Sequence, residues 1–132
     1  MKRLLGVLAA LLMAVGHARA ATPPSATIDT PGPYLYAGTI TATTHGDYKL
    51  GRPDHARSTF KLTCTQVGSV VYTERYDDPI PEQPYTFHFG GLNSSDWDEN
   101  GGGAALCNLR FIAIDNKVGT VPYSSFDFAV EA

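Results

Sequence analysis

The chain has 132 residues, with 13 acidic against 10 basic side chains, two cysteines and one tryptophan. Lys2, Arg3 and Arg19 fall in an N-terminal segment that reads as an export signal, so the mature chain keeps seven basic residues against thirteen acidic ones. That balance argues against a nucleic-acid binder, which neutralises phosphates with clustered Lys and Arg, and disfavours binding to anionic lipid for the same reason.

Residues 1–20 have the three parts of a signal peptide. Lys2 and Arg3 form a positive start, Leu4 to Gly16 an apolar run, and Ala18-Arg19-Ala20 a small-x-small cleavage site. The apolar run is shorter than the roughly 20 residues of a spanning helix, so no membrane anchor is expected. The expected product is a single domain over residues 21–132, secreted or periplasmic.

In chain order, Ala21 to Ala26 reads as an extended leader and Thr27 to Thr30 as a short edge strand, ended by Pro31-Gly32-Pro33. Tyr34 to Thr44 alternates as one strand, with Tyr34, Tyr36, Ile40 and Ala42 on one face. His45 to Arg57 is a polar loop broken by Gly46, Gly51 and Pro53. Ser58 to Gln66 is the clearest strand, and its Phe60, Leu62 and Cys64 oppose Thr59, Lys61, Thr63 and Thr65. Gly68 marks a tight turn into an antiparallel partner, Ser69 to Tyr76. After a proline-rich loop, Tyr85 to Phe89 alternates again, and Gly90 to Gly103 forms a second long loop. Leu106 to Asp115 turns Cys107, Leu109, Phe111 and Ala113 inward, and Ser125 to Ala132 closes the chain with Phe126, Phe128 and Val130.

Six or seven short strands separated by turn signals predict an all-β, antiparallel β-sandwich of about seven strands, with a small closed barrel as the alternative. Cys64 and Cys107 each take an inward position on an apolar strand of an exported chain. They are expected to form one inter-sheet disulfide. The segment Phe111-Ile112-Ala113-Ile114-Asp115-Asn116-Lys117-Val118-Gly119-Thr120, followed by Phe126-Asp127-Phe128-Ala129-Val130, resembles the closing hairpin of bacterial immunoglobulin-like and fibronectin type III-like domains. The resemblance implies an immunoglobulin-like sandwich and a spacer, adhesion or ligand-binding role. The chain departs from antibody-type domains in having Tyr72 but no Trp on the third strand, and Ala105 where a Tyr precedes the second Cys.

Candidate sites fall in the loops. Asp96-Trp97-Asp98-Glu99-Asn100-Gly101 has the spacing of a calcium turn, with Asp96, Asp98 and Asn100 as ligands for Ca2+. It is not an EF-hand, because Cys107 stands at the twelfth position. His45, Asp47 and His55, beside Asp54, form a transition-metal alternative in the first long loop. Trp97 is either a plug on the end of the sandwich or an exposed contact residue, with Tyr34, Tyr36 and Tyr48 as companions on a ligand-contact surface. Neither a nucleophile beside His88 nor a tuned carboxylate pair is evident, so no catalytic residue is assigned. The leading expectation is an exported non-catalytic binding domain that contacts a protein or cell-envelope partner through its loops. The alternatives are a carbohydrate-binding module with structural calcium, a small periplasmic metal-binding protein, a hydrolase inhibitor or an enzyme.

Overall fold

A computed structural model describes residues 23–46, 57–93, 95–115 and 119–132. The export signal and the centre of the first long loop lie outside these residues. Eight strands and one helical turn are present among the described residues: β1 (Ser25–Ile28), β2 (Tyr34–Leu35), β3 (Thr39–His45), β4 (Arg57–Gln66), β5 (Ser69–Asp77), β6 (Pro84–His88), α1 (Asp96–Glu99), β7 (Ala105–Asp115) and β8 (Gly119–Glu131). They form two sheets, one in the order β1-β3-β6 and one in the order β2-β8-β7-β4-β5. No helix among the described residues is long and apolar enough to cross a membrane.

The alternating pattern read from the sequence sets the inward faces. Phe60, Leu62 and Cys64 of β4 stand opposite Phe111, Leu109 and Cys107 of β7, and all six are buried. Ile40 and Ala42 of β3 and Phe87 of β6 bury the facing side. Aromatic rings join the two sheets: Phe60 meets Phe87 edge-on at 5.1 Å, and Phe89 meets Phe128 at 5.8 Å. Such contacts add to the burial of area itself.

Several features differ from the sequence reading, beginning with β1, which starts at Ser25 inside the expected leader and buries Ala26. Second, the stretch from Tyr34 to Thr44 is two strands rather than one. Ala37 takes a positive φ of 66°, and the Gly38 amide closes a turn on the Leu35 carbonyl at 3.0 Å. The chain thereby leaves the five-stranded sheet at β2 and enters the three-stranded sheet at β3. Third, β2 pairs with β8 in parallel, so the assembly is not purely antiparallel. Fourth, β8 begins at Gly119, well before Ser125, because its first residues continue the hairpin with β7. Fifth, the second long loop contains α1, a helical turn too short to show periodicity.

The disulfide forms, but not between the sheets. Cys64 and Cys107 are direct register partners on the neighbouring strands β4 and β7, with their Cα atoms 4.1 Å apart. Both side chains face the core, as the alternation requires. Alternation alone cannot tell strands that oppose one another across a core from strands that stand side by side, and here they stand side by side.

Two outer edges of the three-stranded sheet are covered by side chains from the other sheet. On the β6 edge, the Tyr76 hydroxyl donates to the Thr86 carbonyl at 2.7 Å, and the His88 amide donates to a Glu74 carboxylate oxygen at 2.7 Å. On the β1 edge, the Ala26 amide donates to the Ser124 hydroxyl at 2.9 Å. These bonds satisfy main-chain groups that would otherwise need water or a further strand. The Tyr72 hydroxyl also donates to Glu74 at 2.8 Å. Burial first, then the neighbouring Glu74 carboxylate, push the phenols of Tyr72 and Tyr76 above the ordinary tyrosine range.

Candidate binding face

The loop candidates are built into the scaffold. Ser95 caps α1: its hydroxyl accepts the Asp98 amide at 3.3 Å and donates to the Asp98 carboxylate at 2.9 Å. This capping turns Trp97 inward, where it is 0% exposed. Its indole Nε1 donates to the Gly103 carbonyl at 3.0 Å, and its ring packs on Tyr36 at 5.2 Å and Tyr72 at 6.2 Å. Trp97 is therefore a plug on the end of the core, and it is not available to stack on a sugar.

The proposed aromatic companions are also packed. The Tyr36 ring lies against Gly90 and Gly102, both at positive φ; a Cβ at Gly102 would come within 2.5 Å of that ring. Glycine is required there by close approach as much as by conformation. The Tyr36 hydroxyl donates to the Asp98 carboxylate. Tyr34 packs on Phe128 at 5.0 Å and on Phe89 at 5.7 Å, and its hydroxyl donates to the Thr30 carbonyl at 2.8 Å. Tyr48 lies outside the described residues.

The calcium geometry does not fit. Asp96 and Asp98 lie two apart on a helical turn, where side chains point to different faces. The Asp98 carboxylate is already taken by the Tyr36 hydroxyl, the Ser95 hydroxyl and the Gly91 amide at 2.5 Å. Asn100 serves as the C-cap, its amide donating to the Asp96 carbonyl at 2.9 Å. In the first loop, His45 holds Glu82 through Nδ1 and Thr27 through Nε2, each at 2.8 Å. Asp47, Asp54 and His55 lie outside the described residues. Among the described residues no three His, Cys, Asp or Glu side chains gather as a metal site.

Hydrogen bonds, first from Tyr36 and then from the Gly91 amide, hold the Asp98 carboxyl down at about 2, against an ordinary value of 3.8. A carboxyl depressed on folding stabilises the native state above the unfolded value, and that stabilisation is lost as pH falls through the folded one. Asp98→Asn and Tyr36→Phe are each expected to lower the melting temperature near neutral pH by several degrees. Each is also expected to shrink the further fall between pH 5 and pH 2. Thermal unfolding at the two pH values checks this; an undiminished acid-dependent fall in both variants would show that Asp98 has no special share in it.

Much of the exposed chemistry gathers on the outer face of the five-stranded sheet, while Ile80 and Leu92 are exposed in loops. Outward positions of β5, β4, β7 and β8 form rows across the strands, because register partners share a face. Val70, Thr65, Leu106 and Ala129 make one row. Thr73, Thr63, Asn108 and Asp127 make the next. Leu106 is 68% exposed and Val70 53% exposed. The hairpin tip between β4 and β5 adds Val67, fully exposed and held at φ 50°. A branched side chain rarely adopts that conformation. Thr63, Thr65, Leu106, Asn108, Asp127 and Ala129 line a shallow, largely apolar hollow of about 450 Å³. Its polar rim is pre-set, with the Asn108 amide donating to Ser125 at 2.9 Å and to Asp127 at 2.8 Å.

Sequence reasoning missed this face. Its residues come from four strands, and only the pairing order brings them together. The signal was present in the outward positions of each strand, which looked like ordinary solvated positions when read one strand at a time. Comparison with known proteins returns no matching family model, no matching curated protein and no matching solved structure.

Proposed function

We propose that this chain is an exported, non-catalytic binding domain of immunoglobulin-like architecture that engages its partner with the outer face of the five-stranded sheet. The architectural reading is supported by strand order. β1, β3 and β6 take the places of strands A, B and E, and β8, β7 and β4 those of G, F and C, with β5 as the added neighbour of C. The disulfide differs from that family's inter-sheet bond, since it joins the places of C and F. A disulfide buried in the core accords with an oxidising compartment outside the cytosol.

The observation that carries the functional reading is the exposed, mostly apolar row of Val70, Thr65, Leu106 and Ala129 on one sheet face, with Val67 exposed at the adjoining tip. Exposed apolar side chains gathered beside polar groups mark an interaction site. Binding moves from the loops, where the unusual residues are consumed by packing and capping, to the sheet. A photo-reactive residue placed at Leu106 in the exported protein should yield one discrete cross-linked adduct in the native cell envelope or medium. The same probe at Gly101, on the loop end, should yield none. Adducts from position 101 alone would return the partner to the loops, and none from either position would overturn the binding role.

A further inference from the structure

Every lysine and arginine among the described residues, Arg57, Lys61, Arg75 and Arg110, lies at an outward position of the five-stranded sheet. Three of them are direct neighbours. Lys61 of β4 pairs with Arg75 of β5 on one side and with Arg110 of β7 on the other. Adjacent strands stand about 4.8 Å apart, so the three cations form one row across the sheet. Like charges directly opposite one another destabilise a sheet. The neutralisation available is slight: Arg75 reaches Asp77 at 3.6 Å with both side chains mostly exposed, and among the described residues Lys61 and Arg110 have no ion-pair partner. In a chain with an excess of acid, this row is the one concentrated positive feature of the described surface.

The geometry points to an acidic polypeptide as the partner of this face, an inference that rests on reading the face as the binding surface. The cation row lies four residues along the strands from the apolar row of Leu106, a distance of about 13 Å at 3.3 Å per residue. Between them lie the hydroxyls of Thr63 and Thr73, the amide of Asn108 and the carboxylate of Asp127, which accepts a hydrogen bond from that amide at 2.8 Å. A polypeptide can present carboxylates to Lys61, Arg75 and Arg110 while seating an apolar side chain beside Leu106. An anionic polysaccharide matches the cations but leaves the apolar row uncovered. Arginine and exposed aliphatic groups flanked by hydrogen-bonding side chains suit a protein interface. The rest of the described surface carries acidic side chains but no lysine or arginine, which disfavours other approaches of an acidic partner to it and orients the encounter.

The test uses the mature, oxidised protein with a synthetic peptide, acetyl-Glu-Asp-Glu-Gly-Ser-Gly-Leu-amide, followed by backbone amide chemical shifts. Shifts are expected on β4, β5 and β7, weakening steeply with added salt. Affinity should fall at least tenfold in a Lys61→Gln/Arg110→Gln variant, and severalfold in Leu106→Ser. An Asn/Gln version of the peptide should not bind. All three substituted residues are wholly or partly solvent-exposed, so a melting temperature no lower than the parent's is the check on folding, and relief of the like-charge contacts should raise it in the charge-neutral variant. In the photo-cross-linking experiment, the adduct from position 106 should be protease-sensitive and should disappear in the charge-neutral variant. Tighter binding of oligogalacturonate than of the peptide, a concentration-dependent dimer seated on this face, or an adduct that persists in the charge-neutral variant would each overturn the acidic polypeptide. If the adduct persists, the binding face stands and only the partner's chemistry falls; if no adduct forms at all, both fall.

Discussion

Trp97→Ala is expected to cost about 3–5 kcal/mol, the range for removing a large buried aromatic side chain from a packed site. That is a large share of the roughly 5–15 kcal/mol that holds a small domain together. The magnitude follows from position. The indole is fully buried, and it supports the Tyr36 and Tyr72 rings while its Nε1 ties α1 to the Gly103 carbonyl. Trp97→Phe keeps a ring and loses the hydrogen bond, so it should cost clearly less. Urea unfolding followed by tyrosine fluorescence and circular dichroism measures both variants. Equal midpoints for Trp97→Ala and the parent would contradict the buried plug and restore Trp97 as a surface residue.

Removing the disulfide should have a similar effect by a different route. Its two cysteines are separated by 43 residues, and closing a loop of that length is worth about 4 kcal/mol in the chain-entropy account. The Cys64→Ala/Cys107→Ala double variant leaves no unpaired thiol and little change in volume, so the loss should appear mainly as a lower urea midpoint. Because Cys64 is 0% and Cys107 4% exposed, a reductant should act slowly on the folded protein and quickly once urea unfolds it. Rapid reduction without unfolding would mean that the β4–β7 pair opens readily.

Much of the scaffold was legible in the residues. The period-two pattern of Phe60-Lys61-Leu62-Thr63-Cys64 and of Cys107-Asn108-Leu109-Arg110-Phe111 defines strands and inward faces without further information. Strand adjacency is not in that pattern, so alternation is equally compatible with a cysteine pair across the core and with the pair within one sheet that the structure has. The break at Ala37 was hidden as well, since Tyr34 to Thr44 alternates through a residue whose φ is set by tertiary pairing. The loop chemistry was misleading for a related reason. Asp96 and Asp98 have the spacing of metal ligands, but one serine at the right offset makes a helix cap and consumes a carboxylate. Lys61, Arg75 and Arg110 are far apart in the chain and become a row only after three strands are laid side by side.

The side-chain closure of the β1 and β6 edges bears on how recognition can take place. Many β domains accept a ligand by β-augmentation, in which an extended peptide zips onto free main-chain amides and carbonyls. At Ala26, Thr86 and His88 those groups are already occupied by Ser124, Tyr76 and Glu74. Backbone-templated pairing, with its indifference to sequence, is blocked at these points of the three-stranded sheet. On the binding face proposed above, selectivity would rest on the side chains that the outer surface of the five-stranded sheet displays.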